Sequence, residues 1–268
     1  VFPESSELEA DAGDVSDPVG EEQKMPHPLV VQKHDDRLLI LVTRRCHLHC
    51  RYCFRRDLDG EQDPSMDAIH EAVDFAKRAS VREVILSGGD PLVLRTKRLN
   101  AILSALRPEV PQLRIHTRAP ITFPSRVDDE LVEMLQKHRP IRMVVHCNHP
   151  DEIGPEVEEA LTRLADSGIP LLNQSVLLKG VNDDESVLAE LSERLMTLRV
   201  SPYYLHHPDA VPGGAAFRVG ISEGLALHDA LRKRISAAGL PKYVIDPPDG
   251  TGKVSVAEWI QNSVPSEH

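Results

Sequence analysis

Short apolar runs alternate with amphipathic segments six times between residues 38 and 238 of this chain. A strand-length apolar run followed by a helical pattern predicts a strand–helix unit, and such units in series imply parallel strands with right-handed crossovers. The runs are apolar throughout, which is typical of strands that are covered on both faces. The sequence therefore predicts an α/β fold, a partial (β/α)6 barrel with parallel strands. An open doubly wound sheet is the alternative.

All predicted elements fall within residues 30–268, which are therefore expected to form the barrel domain. The predicted strands span residues 38–43, 83–87, 113–117, 141–147, 171–177 and 202–206, with short accessory strands at 30–31 and 243–245. The predicted helices span residues 66–79, 96–106, 128–137, 154–167, 184–198 and 222–238. Residues 1–29 are acidic, rich in Pro, Gly and Ser and without periodicity, so they are expected to form an N-terminal arm.

Charge and composition limit the partners and the compartment. The formal net charge is -11, which argues against a nucleic-acid-binding protein. No apolar stretch approaches the length of a membrane helix, and the acidic start lacks the apolar core of a secretory signal. Three of the four cysteines are clustered, which predicts a metal site in a reducing cytoplasm. The fourth, Cys147, lies in an apolar run and is expected to be buried.

The clustered cysteines follow the first strand of the series. Cys46, Cys50 and Cys53 have C-x3-C-x2-C spacing. Three thiolates suit a cubane iron–sulfur cluster that keeps one iron free of protein ligands, so that this iron can bind a small chelator. The alternative is a structural zinc site with His47 or His49 as the fourth ligand.

Other candidate groups also follow predicted strands, where the active sites of parallel α/β folds lie. Ser87, Gly88, Gly89 and Asp90 follow the second strand, and two adjacent glycines let the backbone approach a ligand closely. A lone glycine pair is more often only a turn. Near the C-terminus, Lys253 ends a glycine-containing loop, where a lysine can form a Schiff base if its pKa is lowered.

Two cations flank the turn before the first strand of the series. Lys33 and Arg37 are four residues apart and could together clamp a phosphate group. Taken locally, the segment from Lys33 to Arg37 equally fits a charged turn, and Lys253 equally fits a solvated surface lysine.

Taken together, these motifs resemble the lysine 2,3-aminomutase family of radical S-adenosylmethionine enzymes, which also use pyridoxal phosphate. The resemblance runs from about residue 17 to residue 256. It includes the blocks HCNHPDEI at residues 146–153, NQSVLLKGVN at 173–182 and PYY at 202–204. These blocks are long and uncommon, so the resemblance is specific.

The resemblance implies a role for each candidate position. Cys46, Cys50 and Cys53 match the ligands of a [4Fe-4S] cluster, and Lys253 matches the lysine that holds pyridoxal phosphate covalently. Lys33 and Arg37 match two arginines that bind its phosphate, so lysine at position 33 is a departure that loses the bidentate fork. Arg55 matches the arginine that binds the substrate carboxylate, while Asp209 and Asp246 match two aspartates that bind the distal ammonium of lysine. The positions that match contacts to S-adenosylmethionine are Ser87, Gly88, Gly89, Asp90, His146 and Gln174.

The implied function is an isomerase that moves the α-amino group of L-lysine to the β-carbon, giving β-lysine. The run from Tyr52 to Arg56 and the segment at residues 17–20 also resemble the branch that acts in modification of elongation factor P. Arginine is a further candidate substrate, and a non-catalytic zinc- or cluster-binding protein is the alternative from another class. The implied partners are a small amino acid and a reducing protein such as flavodoxin or ferredoxin. Elongation factor P is a further candidate partner, and a homo-oligomer is left open.

Anaerobically purified protein is expected to carry an oxygen-sensitive four-iron cluster on Cys46, Cys50 and Cys53, because their spacing in a loop after a strand suits three-thiolate ligation. Broad brown absorbance and assays for iron and acid-labile sulfide measure this. Stoichiometric zinc without iron or sulfide, in protein made with iron available, would contradict the expectation.

Overall fold

The computed structural model of the chain describes residues 11–55 and 62–263. Its centre is a nine-stranded sheet whose strands lie in sequence order. Strands β2 to β8 run parallel, whereas β1 and β9 pair antiparallel with their neighbours. Within the described residues no pairing joins β1 to β9, so the barrel is partial. The strands are β1 Val30–His34, β2 Arg37–Thr43, β3 Glu83–Gly88, β4 Gln112–Thr117, β5 Ile141–Val145, β6 Leu171–Val176, β7 Val200–His206, β8 Lys242–Ile245 and β9 Val254–Ser255.

The six predicted strand–helix units are confirmed, with most bounds shifted by only one or two residues. The last predicted helix ends four residues early, because Ile235 is already extended. Helix α3 and strand β9 were not predicted, because elements this short have no recognisable periodic pattern. Helix α8 was also not predicted. The accessory strand at 243–245 belongs to β8, which runs parallel to β7. The helices are α1 Met66–Arg78, α2 Thr96–Leu106, α3 Ala119–Thr122, α4 Asp129–Lys137, α5 Pro155–Asp166, α6 Glu185–Thr197, α7 Ile221–Arg234 and α8 Val256–Ser263.

The parallel strands have one apolar face and one partly polar face. On β4, Leu113 and Ile115 are buried in the main apolar core together with residues of the surrounding helices. Since side chains alternate along a strand, Arg114 and His116 lie on the opposite face, inside the barrel. There Arg114 Nε donates to Glu83 Oε1 at 3.0 Å. This part of the barrel interior therefore holds a charge-compensated ion pair.

The N-terminal segment, residues 11–24, lies against the loops that follow β7 and β8. Val15 N donates to Ala210 O at 2.9 Å, and Arg218 pairs with Asp11 at 3.0 Å and with Asp14. These contacts belong to the part of the predicted arm that is described; residues 1–10 lie outside it. None of the helices in residues 11–55 and 62–263 is long and apolar enough to cross a membrane.

Candidate active site

The predicted functional residues follow the carboxyl ends of the parallel strands, where loops from neighbouring strands meet. Cys46, Cys50 and Cys53 lie on the loop after β2 and are half-buried, whereas Cys147 is fully buried as expected. Burial, the charge of Asp90 and the two other loop cysteines raise the pKa of the Cys46 thiol to about 12. A positive partner such as a metal cluster would therefore be needed to hold Cys46 as a thiolate. Three soft sulfur donors on one loop fit such a cluster. Among the described residues, no group of three or more His, Cys, Asp or Glu side chains is already arranged to hold a metal ion.

Arg118 is a neighbour of the cysteine loop that the sequence analysis missed. It follows β4, and its Nη1 donates to Cys50 Sγ at 2.8 Å. Its Nη2 donates to Glu152 Oε2 at 2.7 Å, so the guanidinium is held by a carboxylate from the turn after β5. Its place after a predicted parallel strand was the one signal that could have found it.

The glycine pair after β3 brings two backbones together. Gly88 has φ +116, and a Cβ there would lie 2.2 Å from Thr43 O. A Cβ on Gly89 would lie 2.3 Å from Arg45 O. The main chain at the end of β3 therefore lies directly against the start of the cysteine loop and forms hydrogen bonds with it. Gly89 N donates to Thr43 O and Asp90 N donates to Arg45 O, both at 2.8 Å. The close approach that the glycines permit is made to this loop.

The Asp90 carboxylate joins the ends of β3 and β4. It accepts hydrogen bonds from Thr117 Oγ1 at 2.6 Å, Arg118 N at 2.8 Å and Ala119 N at 2.9 Å. Leu92 N donates to it as well, at 2.9 Å. Since four donors already engage this buried carboxylate, Asp90 orders the loops of the site from within the protein.

Four buried polar atoms on neighbouring strands have no partner in the described part of the chain. They are Nε2 of His116, His146 and His206, and Oε1 of Gln174. The rings of His116 and His146 are 6.1 Å apart. Burial, together with nearby cations, lowers the pKa of His146 and of His206 to about 3, so both imidazoles are neutral. Buried polar groups are normally satisfied, so these atoms fit a polar ligand inside the barrel. His146 and Gln174 were predicted to bind one, whereas His116 and His206 were not.

Lys253 is held by Asp246, the residue directly after β8. Lys253 Nζ donates to Asp246 Oδ2 at 3.2 Å, and Lys33 Nζ donates to Asp246 Oδ1 at 2.8 Å. Burial alone would raise the pKa of Asp246, but the two ammonium groups keep it below its ordinary value. Asp246 is therefore an ionised carboxylate with two cationic partners of its own.

A close packing contact brings the loop of Lys253 to the β1–β2 hairpin. Gly252 has φ +89, and a Cβ there would lie 2.7 Å from Nε2 of His34. Lys33 and Arg37 belong to the same hairpin. The ammonium group of Lys33 and the guanidinium of Arg37 in this region fit the phosphate of a cofactor attached through Lys253. Arg37 itself donates to Asp36 at 3.0 Å, and in the described chain no hydrogen bond joins it to Lys33 or Lys253.

Asp209, in the loop after β7, has no hydrogen bond or ion pair to its side chain in the described residues. Burial first, and then the charge of Asp246, raise its pKa to about 7, although Lys253 and Lys33 oppose the shift. Two carboxyl groups were predicted to bind a distal cation. Asp246 is paired with Lys33 and Lys253, whereas Asp209 has no such partner among the described residues.

Arg55, two residues beyond Cys53, is paired within the protein. Its Nε donates to Glu21 Oε2 at 2.8 Å, and its Nη2 donates to Glu21 Oε1. Its Nη1 donates to Ser87 Oγ at 3.1 Å. Glu21 was not predicted as a site residue, because it lies in a segment without apolar periodicity.

A family model described as the radical SAM superfamily matches residues 40–191 of the chain. The chain is 40% identical over 260 residues to the L-lysine 2,3-aminomutase of Fusobacterium nucleatum, which covers 95% of this chain and 61% of that protein. It is 39% identical over 257 residues to the glutamate 2,3-aminomutase of Clostridioides difficile, covering 94% of this chain and 61% of that protein. The chain thus spans about three fifths of the length of these relatives.

The fold is also similar to that of a solved structure, Streptococcus suis SuiB bound to its precursor peptide SuiA. The TM-score is 0.62 at 17% sequence identity, over 77% of this chain and 47% of SuiB. At this identity the likeness concerns the fold alone.

Asp209→Asn is expected to stabilise the ligand-free protein more at pH 8 than at pH 5. The folded-state pKa of about 7 lies above the ordinary value of 3.8, so the folded protein disfavours the ionised carboxylate. The free energy of unfolding of wild type therefore falls as the pH rises between these values. Asparagine does not ionise, so the free energy of unfolding of Asp209→Asn should exceed that of wild type increasingly over this pH range, and the difference should level off at roughly 1–4 kcal/mol. Urea unfolding at several pH values measures it, with the exposed Asp35→Asn as control. An advantage that is equal at pH 5 and pH 8 would contradict the expectation.

Proposed function

Because the chain belongs to the radical SAM superfamily and, within it, to the lysine 2,3-aminomutase family, we propose that it moves the α-amino group of L-lysine, or of a closely related cationic amino acid, to the β-carbon. The observation that carries this proposal is the grouping of complementary charged side chains at one end of the barrel. Arg55 lies two residues beyond the cysteine loop, Lys253 pairs with Asp246 after β8, and Asp209 follows β7 without a partner among the described residues.

Each cofactor of the proposal has residues that fit it. Cys46, Cys50 and Cys53 would hold a [4Fe-4S] cluster, and the unpartnered His146 and Gln174 would contact S-adenosylmethionine. Pyridoxal phosphate would be held on Lys253, with cations of the β1–β2 hairpin at its phosphate. When bound, these groups supply a radical initiator and a covalent holder for the migrating nitrogen that stabilises a neighbouring radical.

The protein itself contributes position and exclusion of water. Asp246 holds Lys253 Nζ at 3.2 Å, which fixes the attachment point relative to β8. Asp90 and the glycine pair fix the cysteine loop against the end of β3. The N-terminal segment lies against the loops after β7 and β8 and limits the access of water from that side.

The charges at the site support a substrate with a cationic side chain. Asp209 is a desolvated carboxyl group to which no cation of the described residues is bound, so a ligand ammonium would be favoured there by both charge and hydrogen bonding. A substrate with an acidic side chain, such as the glutamate in the name of the Clostridioides difficile relative, would instead meet the Asp209 carboxyl group, to which no cation of the described residues is bound. Arg55 supports a substrate with a free α-carboxylate, which favours a free amino acid over a lysine within elongation factor P.

Further parts of the proposal follow from the cluster. It must receive an electron, so a reducing partner such as flavodoxin or ferredoxin is proposed. The cytoplasm is the proposed compartment, because a cluster of this kind needs a reducing environment.

Borohydride is expected to trap pyridoxal phosphate covalently on a peptide that contains Lys253, because reduction fixes an imine on the lysine that carries the cofactor. Peptide mass analysis of wild type and Lys253→Ala measures this, with Lys179→Ala as a control for an exposed lysine. Trapping at another lysine, with Lys253→Ala still active, would reject the assignment.

Asp209→Asn is expected to lower kcat/KM for L-lysine by roughly 10- to 150-fold, since one charge-assisted hydrogen bond contributes about 1.5–3 kcal/mol. Asp209 is the cleaner test, because Asp246 also holds Lys33 and Lys253. Product analysis with the anaerobically reconstituted enzyme measures turnover of lysine, arginine, glutamate and lysine-bearing elongation factor P. Asp35→Asn is the matched control. Unchanged lysine turnover and selectivity in Asp209→Asn would overturn the cation-binding role.

A further inference from the structure

The carboxylate-binding side chain of the proposed site already holds a carboxylate from its own chain. Glu21 accepts from Nε of Arg55 at 2.8 Å and also from Nη2, which is a bidentate contact along one edge of the guanidinium. The Arg55 and Glu21 side chains are only 13% and 16% exposed, so this is no loose surface pair. Ser87 Oγ accepts a hydrogen bond from Nη1 of Arg55 at 3.1 Å.

The backbone around Glu21 is fixed in place. The Asp17 carboxylate accepts from Glu21 N and from Glu22 N, both at 2.8 Å. Val19 is buried at 3% exposure. Gly20 has φ +65, and a Cβ there would lie 2.4 Å from Pro248 O. Glu21 is therefore kept within reach of Arg55.

A second carboxylate on the same guanidinium meets an electrostatic conflict. Glu21 neutralises the charge of Arg55, and the charge of Asp246 also acts on Arg55. A ligand carboxylate that bound beside Glu21 would be attracted to a pair without net charge and repelled by the Glu21 carboxylate. If it instead took the place of Glu21, Arg55 would remain paired and the two anions would be separated. A buried guanidinium needs one such partner at all times.

We propose that Glu21 is an internal competitor for the carboxylate subsite on Arg55 and so sets the affinity of that subsite for a substrate with a free carboxylate. The inference rests on the proposed function, which assigns the substrate carboxylate to Arg55. A ligand with a carboxylate must displace Glu21, which costs part of its binding free energy. A ligand with a neutral carboxamide neither gains from Arg55 nor competes with Glu21. Glu21 is thus a specificity-determining residue that acts through Arg55.

The test measures binding without turnover. L-Lysine and L-lysinamide are titrated calorimetrically into the anaerobic holoenzyme with its cofactors and without reductant. Glu21→Gln is expected to lower the Kd for L-lysine by about ten-fold, on the scale of one lost charge pair, and to leave that for lysinamide unchanged. Glu22→Gln, which removes the adjacent exposed carboxylate, is the matched control and should change neither Kd.

Thermal unfolding gives a second measurement. Ligand-free Glu21→Gln should have a lower Tm than wild type, because buried Arg55 loses its counter-charge, and L-lysine should raise that Tm by more than it raises the wild-type Tm. Glu21→Asp, whose carboxylate is retracted by one methylene, should also bind L-lysine more tightly and provides the test if Glu21→Gln fails to fold. Unchanged or weaker lysine binding in a folded Glu21 variant would overturn the inference and make Glu21 a support of Arg55. A folded Glu21→Gln variant that does not prefer L-lysine to lysinamide would instead contradict the role of Arg55 in the proposed function.

Discussion

The close approach between the end of β3 and the start of the cysteine loop is the contact on which the rest of the site depends. Gly88 and Gly89 leave no room for side chains, and the backbones of Thr43 and Arg45 occupy the space that a Cβ would need. The Asp90 carboxylate accepts four hydrogen bonds, three from the end of β4 and the residues that follow it, and one from Leu92 in its own turn. One short segment thereby fixes three adjacent loops relative to the sheet. A larger residue at Gly88 or Gly89 would separate the cysteine loop from the sheet that positions it.

Charge compensation organises the groups that this scaffold carries. Arg55 is matched by Glu21, Arg118 by Glu152, and the ammonium groups of Lys33 and Lys253 share one aspartate. Each pair is half-buried or better, where an unpaired charge would be costly. Asp209 is the exception, and burial shifts its titration towards neutral pH instead. The groups proposed to bind a substrate therefore differ: Arg55 is paired with Glu21, whereas no cation of the described residues is paired with Asp209.

The N-terminal segment shows how composition can mislead. Its acidic, Pro- and Gly-containing sequence is typical of a loosely packed arm, because it offers no apolar periodicity. Val19 is nevertheless buried, and Asp17, Glu21 and the carbonyl of Val19 each make a specific polar contact. The contact of Asp17 is made within the segment, whereas the Val19 carbonyl and Glu21 need partners from later in the chain, Lys33 and Arg55. A segment with no structure of its own can thus become part of a site that other elements build.

Sequence alone established the six strand–helix units, the parallel order of the barrel and the loop that carries the three cysteines. These features depend on local periodicity and on spacing within a few residues, which a sequence records directly. The pairing of Glu21 with Arg55, the two cations on Asp246 and the isolation of Asp209 could not be inferred in the same way. They depend on which buried charges meet across loops that are up to 213 residues apart. The energy of a buried charge is determined by its surroundings and not by its type, so only the tertiary structure decides which of the predicted groups remain available to a ligand.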